Sequence, residues 1–291
     1  HTLRPLLFAT KQQLIQYATH HGLSWREDET NLHGTHDRNH IRHQVIPALQ
    51  ALNPSLEHTI YANIQHFRGI YTVWEQEQRE QWRQLARKQG NCWFISRPEL
   101  EVLEPLSPYL FAFLSPFGLN KDQLTRLQQA LSHQPGALFY SDAYQVEVAR
   151  DSLLVAPYPL QAEQQSIPGP DGTYQVNGFR FTLTLTEPQH LDLRAPAYAY
   201  LDADKLTFPL LLRPWQAGDR FYPLGMEHPK KLSDFFVDEH WPRLLKAQTL
   251  ILQTRQGAIA WVVGSRLDER FKVTPGTKQV LAIHFEAADQ V

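Results

Sequence analysis

The stretch ALFYSDAYQVEVARDSLLVAP, residues 137–157, alternates apolar and polar side chains and predicts β-strands. Just before it, NKDQLTRLQQALSHQPG at 120–136 repeats apolar side chains every three or four positions, which predicts a helix capped by Asn120 and ended by Gly136. The hydrophobic period therefore changes from about 3.6 to 2 near residue 137. Helices before this point and mainly strands after it indicate an α+β fold.

Two further helices are predicted at the start of the chain and before the central strands. Thr10 and Gln13 form a capping-box pattern at the start of a first helix, which Gly22 would end. A much longer helical pattern runs from Pro54 to Gln89.

A helix between these two should begin near Asp37, with Pro47 crowding its last turns. Its apolar stripe, expected to be buried, consists of Ile41, Val45 and Leu49.

Strands dominate the remainder of the chain. TYQVNGFRFTLTLT at 173–186 predicts a hairpin, because Asn-Gly favours a type I′ turn, and QAEQQSIPGPDG at 161–172 predicts a loop. From about residue 207 we expect a strand–loop–strand unit and then mainly helix at 230–249. A hairpin at 250–264 and final strands near 270–273 and 279–285 follow.

Composition and charge narrow the class of protein. With 291 residues, 42% apolar and 20% charged, the chain has a globular composition, and no apolar run approaches the roughly 18 residues of a membrane span. The single cysteine, Cys92, excludes an internal disulfide and a multi-cysteine metal site, and we expect it to be buried in a cytoplasmic protein. Lys and Arg number 5 against 4 Asp and Glu in residues 1–50, 12 against 17 in 51–206 and 11 against 9 in 207–291. The slightly basic ends favour anionic partners there.

Residues 31–49, NLHGTHDRNHIRHQVIPAL, are rich in histidine and arginine. Histidines three or four positions apart could face one zinc ion, but the glutamate of a zincin motif is absent and Gly34 and Thr35 interrupt the helix. We therefore predict no metal site. The arginines suit phosphate or carboxylate binding, although Asp28 could equally pair with Arg38 or Arg42 to pin a loop.

A second cationic stretch lies at 212–236, LRPWQAGDRFYPLGMEHPKKLSDFF. Its cations alternate with aromatic residues, as in proteins that bind a nucleic-acid backbone and exposed bases. The alternative is a hairpin with its aromatic residues in the core and Asp219 tied to Arg220.

Two separated sets of motifs make the chain resemble the bacterial tRNA(Ile)-lysidine synthetase family. RPLL at 4–7, EDETN at 27–31 and DRNHIRHQVIPAL at 37–49 resemble the end of its catalytic domain. Its C-terminal domain is matched by YLDADKL, LLLRPWQAGDRFYPLGM, KKLSDFFVD and WVVGSRLDERFKVT, between residues 200 and 274. The resemblance implies the helical end of a Rossmann-like PP-loop domain at 1–53, a mixed helical and β-hairpin substrate-binding domain at 54–206, and a small α+β tRNA-binding domain at 207–291.

The resemblance also implies an activity. Family members use ATP with Mg²⁺ to adenylate the first anticodon cytidine of the CAU-bearing tRNA(Ile), and the ε-amine of free L-lysine then displaces AMP at C2 to give lysidine. Their N-terminal S-G-G-x-D-S loop, which holds ATP phosphates, does not occur in this chain. We therefore expect a fragment or split protein that is inactive by itself. The alternatives are a catalytically silent tRNA-binding module and a histidine–metal regulatory protein.

The site residues follow from the same resemblance. Arg38 and Arg42 should face ATP, lysine or the anticodon loop, with Asp28 and Asn31 orienting them and Asn39 beside them. The expected tRNA-binding residues are Arg213, Asp219, Arg220, Lys230, Lys231, Arg243 and Arg266. No membrane partner is expected, and a homodimer remains open.

Overall fold

The computed structural model describes residues 3, 5, 6, 8–26, 37–133, 135–159, 163–189, 191 and 197–287. The chain divides into two compact units, a first unit His1–Trp74 and a second unit Glu75–Val291. Helices and antiparallel sheets both occur, so the α+β prediction is confirmed.

The first helix, α1 (Lys11–His20), begins as predicted. The Gln13 amide donates to the Thr10 hydroxyl at 3.2 Å, and the Thr10 amide donates to the Gln13 side chain at 2.8 Å. Gly22, with φ of +62°, follows the C-terminus in the left-handed conformation that favours glycine. The capping box and the stop are both confirmed.

The predicted helix that begins at Asp37 is interrupted by a wide turn. It consists of α2 (Asp37–His40), a π-helical turn Ile41–Val45 and α3 (Ile46–Leu52). In the π turn the Ile46 amide donates to the Ile41 carbonyl, five residues back. Pro47 explains this geometry, because it has no amide hydrogen and its ring would collide with the carbonyl four residues earlier.

The apolar stripe of this helix lies on the surface, so its predicted burial was wrong. The three side chains are 49%, 38% and 44% exposed, in the order Ile41, Val45, Leu49. Among the described residues of the first unit no apolar side chain is buried. The stripe has the spacing of a core face, but no described element of this unit covers it.

The long helix α4 (Leu56–Leu85) ends four residues earlier than predicted. Residues 86–89 instead form strand β1 (Ala86–Gln89), which pairs with β2 (Cys92–Ser96). Across the described parts of the chain, no helix is both long and apolar enough to cross a membrane.

A first sheet with the strand order β1-β2-β5-β4-β3 organises the region around residues 86–157. Its other strands are β3 (Leu138–Tyr140), β4 (Tyr144–Val148) and β5 (Ser152–Pro157), as the change of period predicted. The intervening helices are α5 (Arg97–Glu101), α6 (Leu106–Leu114) and α7 (Lys121–Leu131). Asn120 caps α7, as predicted. Gly136 does not end this helix, since Leu131 is its last residue.

The remaining strands form a second sheet, a third sheet and a short ribbon. The second sheet has the order β15-β14-β13-β10-β6, the third β7-β8-β16-β9, and the ribbon joins β11 and β12. Their bounds are β6 (Gln165–Ile167), β7 (Gly172–Val176), β8 (Phe179–Thr186), β9 (Tyr198–Asp202), β10 (Leu210–Pro214), β11 (Arg220–Phe221), β12 (Lys230–Lys231), β13 (Leu250–Gln253), β14 (Ile259–Val262), β15 (Arg266–Leu267) and β16 (Val280–Ala287). Two helices, α8 (Leu232–Asp238) and α9 (Arg243–Gln248), precede β13.

Most strand predictions in this region are confirmed, with two corrections. Asn177 and Gly178 have φ of 50° and 76°, as the predicted type I′ turn requires. Residues 165–167 form strand β6 within the predicted loop, because they pair with β10. Residues 269–271 form a 3₁₀ turn rather than part of a strand.

A shared core lies between the second and third sheets. Phe181, Leu201 and Leu281 of the third sheet pack with Leu212 and Leu252 of the second. Strands from both sides of the predicted boundary at residues 206 and 207 pair with each other, since β6 pairs with β10 and β16 pairs with β8 and β9. The three-domain division stays a prediction.

Candidate functional site

The predicted catalytic set lies only partly within the described residues. Asp28 and Asn31 lie outside them, and Arg38 is placed in α2 without a described side chain. Asn39 is buried at 8% exposure, whereas Arg42 is exposed on the π turn. The catalytic roles of these residues stay predictions.

The histidine cluster is likewise only half described. His33 and His36 lie outside the described residues, while His40 and His43 are both exposed. Within the described parts of the chain, no three His, Cys, Asp or Glu side chains are grouped so that they could hold a metal ion.

Arg213 and Asp219 form a two-pronged ion pair at the loop between β10 and β11. Both guanidinium Nη atoms donate to the two carboxylate oxygens at 2.9 Å, and the two side chains are only 10% and 13% exposed. The Gln216 amide donates to the same carboxylate at 2.7 Å, and the Arg213 Nε donates to Gln253 on β13. The pair therefore holds this loop against the second sheet, an arrangement that favours a structural role over the direct tRNA contact predicted for these two residues.

The aromatic residues of this region lie inside. Phe221 is fully buried in a cluster with Phe235 and Phe236, and Trp215 packs against this cluster. The indole of Trp215 donates to the Lys246 carbonyl at 2.6 Å. The alternative of a hairpin with an aromatic core is confirmed on this point. The second part of this alternative, an ion pair between Asp219 and Arg220, was wrong, because Asp219 binds Arg213 instead.

Arg220 and Lys231 lie opposite each other on the ribbon. They are register partners of β11 and β12, so their side chains leave the same face, and both are exposed. Neither side chain has an acidic partner among the described residues. We call these two residues the cation pair. Lys230, their neighbour, differs in being ion-paired with Asp238 and lying 6.0 Å from the Phe235 ring.

Arg243 and Arg266 are both exposed. Arg266 lies 3.8 Å from Glu239, and because the two side chains are 45% and 47% exposed, solvent screens this ion pair. The Arg243 amide, the first of α9, donates to Glu147 at 3.0 Å.

The structure adds a stacked arginine to the predicted set. Arg270 lies over the Tyr222 ring at 4.4 Å and binds the fully buried Asp268 through two hydrogen bonds. The hydrogen bonds with Asp268 raise the pKa of Arg270. The backbone amide of Gly225 lowers the pKa of the neighbouring carboxyl of Glu269. The motif WVVGSRLDERFKVT contains Arg270, but only the fold brings it to Tyr222.

Comparison with known families separates the chain into recognisable parts. A PP-loop domain model matches residues 1–49, a TilS substrate binding domain model matches 88–158, and a TilS substrate C-terminal domain model matches 210–284. Residues 88–158 and 210–284 therefore match domains of the TilS family. The resemblance predicted from the sequence is thus confirmed.

Proteins named tRNA(Ile)-lysidine synthase match nearly the whole chain. A tRNA(Ile)-lysidine synthase of Parabacteroides distasonis is 31% identical over 97% of this chain and 64% of its own length. The tRNA(Ile)-lysidine synthase of Bacteroides thetaiotaomicron is 30% identical over 96% of this chain and 62% of its own length. The chain therefore spans less than two thirds of the curated relatives it matches. A solved TilS C-terminal domain covers 45% of this chain and is matched over its full length, with 21% identity and a TM-score of 0.40.

Proposed function

We propose that this chain binds tRNA(Ile) as part of a tRNA(Ile)-lysidine synthase, a ligase that joins lysine to the first anticodon cytidine. The relatives of that name and the substrate-binding family domains support the assignment. ATP, with Mg²⁺ on its phosphates, would bind through the PP-loop domain, of which residues 1–49 are matched here. Arg38 and Arg42 remain the proposed catalytic residues, and lysine and the CAU-bearing tRNA are the proposed substrates.

The cation pair is the observation that carries the tRNA-binding part of the proposal. Like charges directly opposite each other on a two-stranded ribbon repel and destabilise the folded state. A phosphate placed between Arg220 and Lys231 would reverse this repulsion, because each cation could donate to it. The buried Arg213–Asp219 pair and the aromatic cluster hold the ribbon in place beneath them.

The test compares two double variants with the same loss of charge. Arg220→Ala with Lys231→Ala removes the cation pair, and Arg255→Ala with Lys278→Ala removes two exposed cations from loops elsewhere. Gel-shift titrations with tRNA(Ile) from about 50 to 200 mM salt measure both affinity and its salt dependence.

Loss of the cation pair should weaken binding by about 5- to 50-fold at low salt. The slope of log affinity against log salt should flatten by about one to two units, since two phosphate contacts are lost. The control variant should retain most of the affinity and the slope. Equal losses in the two variants would mean that the effect is general charge, and the ribbon would not be the tRNA site.

A further inference from the structure

Helix α9 lies across the first sheet, although it belongs to the C-terminal part of the chain. Its first two amides, of Arg243 and Leu244, donate to the two carboxylate oxygens of Glu147 on β4 at 3.0 and 2.8 Å. At its other end, the Cys92 thiol on β2 donates to the side chain of Gln248 at 2.8 Å.

The dimensions of the helix fit this crossing. Strands β4, β5 and β2 are consecutive neighbours, so the span from β4 to β2 is about two strand spacings, or roughly 9.6 Å. Six helical residues rise about 9 Å. One helix length therefore brings both polar ends of α9 to the two strands that hold them.

Mostly small side chains of the first sheet pack against α9. Leu244 is 3% exposed and packs with Cys92, Ala149, Leu154 and Ala156. Glu147, Leu154 and Phe94 are register partners on the same face, and Phe94 packs against this cluster. The face of the sheet that contacts α9 therefore has mostly small side chains around Leu244 and a polar side chain at Glu147.

A further hydrogen bond joins α9 to a residue that follows a strand of the second sheet. Trp215, just after β10, donates its indole hydrogen to the Lys246 carbonyl at 2.6 Å. Residue 250, two positions after the helix, begins β13, which pairs with β10. A single short helix is thus shared by the region that matches the substrate binding domain and the region that matches the C-terminal domain.

We call α9 and its contacts with Glu147, Cys92 and Trp215 the joint. Glu147 is the polar centre of the joint. It is 3% exposed, and each of its oxygens accepts one amide hydrogen that would otherwise have no partner at the start of a helix. A carboxylate at a helix N-terminus is also favoured by the helix dipole. Removing it would leave two amides unsatisfied in a buried place.

We propose that Glu147 is a positioning residue, which through α9 locks residues 88–158 and 210–284 into one body so that a single tRNA is held by cations of both. This proposal rests on the proposed function above. Exposed cations lie on both regions, among them Lys121, Arg126 and Arg150 on the first and Arg220, Lys231 and Arg243 on the second. Two contacts fixed at the correct span strengthen binding of one long ligand through their effective concentration, and a loose joint loses that gain.

The first arm of the test uses the chain's own cysteine. Cys92 is the single cysteine and is 2% exposed beneath α9, so a thiol reagent reaches it when the joint opens. The full chain is compared with Glu147→Ala, Glu147→Gln and the control Glu99→Ala, which removes an exposed carboxylate of the same region. Circular dichroism and the urea midpoint identify conditions under which every variant is folded.

We expect labelling of Cys92 to become about 10- to 100-fold faster in Glu147→Ala, because each hydrogen bond to a charged group changes an equilibrium by about tenfold. Glu147→Gln keeps one acceptor oxygen and should lie between Glu147→Ala and the unchanged chain. Glu99→Ala should label at the original rate. Equal rates in Glu147→Ala and Glu99→Ala would overturn the joint itself.

The second arm measures RNA binding by the same proteins. Whole tRNA(Ile) should bind Glu147→Ala about 5- to 50-fold more weakly, whereas its separate anticodon and acceptor-stem hairpins should bind as they bind the original chain. General destabilisation would not distinguish long from short RNA. Faster labelling with unchanged tRNA affinity, or equal losses for tRNA and hairpins, would overturn the positioning role. If the unchanged chain bound no tRNA, the proposed function and this positioning role would both be rejected, while the labelling arm would still decide whether the joint exists.

Discussion

Replacing Asp219 by Ala should destabilise the second unit strongly without removing a tRNA contact. The change deletes a carboxylate that accepts two hydrogen bonds from Arg213 and one from the Gln216 amide. It also leaves the Arg213 guanidinium, 10% exposed, without a counter-charge. Breaking a buried ion pair in this way costs about 3–5 kcal/mol.

Two comparisons test this magnitude. Asp238→Ala removes the carboxylate of the Lys230 pair, which is 62% exposed, and should cost no more than about 1 kcal/mol. Arg213→Met combined with Asp219→Ala removes both charges and should be less destabilising than Asp219→Ala alone, because no charge is left unpaired.

The assay is urea unfolding followed by tryptophan fluorescence, with tRNA affinity measured on each folded variant. We expect a low urea midpoint and nearly unchanged affinity for Asp219→Ala. A normal midpoint together with a large loss of affinity would refute the reasoning, and would assign Arg213 and Asp219 to the RNA contact itself.

Four further outcomes are expected. The isolated chain should incorporate no labelled lysine into CAU-bearing tRNA(Ile) in the presence of ATP, since it contains no S-G-G-x-D-S loop; incorporation above background would contradict this. In a complete enzyme, Arg38→Ala or Arg42→Ala should lower kcat/KM by about 30- to 1,000-fold, or roughly 2–4 kcal/mol, at an unchanged melting temperature, whereas a purely structural role would lower the melting temperature instead. Burial raises the pKa of Cys92 to about 12 from its ordinary 9.0, so the unfolded thiol ionises first and stability should fall as pH rises from about 9 toward 12. The loss at pH 10 should be on the order of 1 kcal/mol and absent from Cys92→Ala, as urea midpoints of the two proteins at pH 8 and 10 would show. After chelator treatment, equilibrium dialysis should leave no zinc bound, and one zinc per chain that His36→Ala or His40→Ala removes would contradict this.

Features that depend on a few neighbouring residues were predicted correctly from the sequence. The capping box at Thr10, the helix cap at Asn120 and the turn at Asn177–Gly178 need only local hydrogen bonds and local backbone conformation. The change of hydrophobic period near residue 137 likewise placed β3, β4 and β5. The family resemblance was recognisable from short sequence motifs, because these can be identified without knowledge of the fold.

Features that depend on distant partners were decided by the tertiary structure. Strands β1 and β6 carry weak local signals, and they are strands because β2 and β10 supply the hydrogen-bonding edges. The same limit applies to the exposed Ile41. Its position in the sequence shows that it belongs to an apolar helix face, but does not show whether another element covers that face.

The partners of charged side chains are the clearest example of contacts that the sequence did not predict. In sequence Asp219 is next to Arg220, but it lies in the loop before β11, and the path of that loop brings its carboxylate to Arg213 of β10 instead. Glu147 and the α9 amides are almost a hundred residues apart and meet only because α9 is as long as the sheet span it crosses. Composition and motifs therefore determined the kind of protein and its local elements, while packing decided which of the described cations are exposed and which are held by a carboxylate.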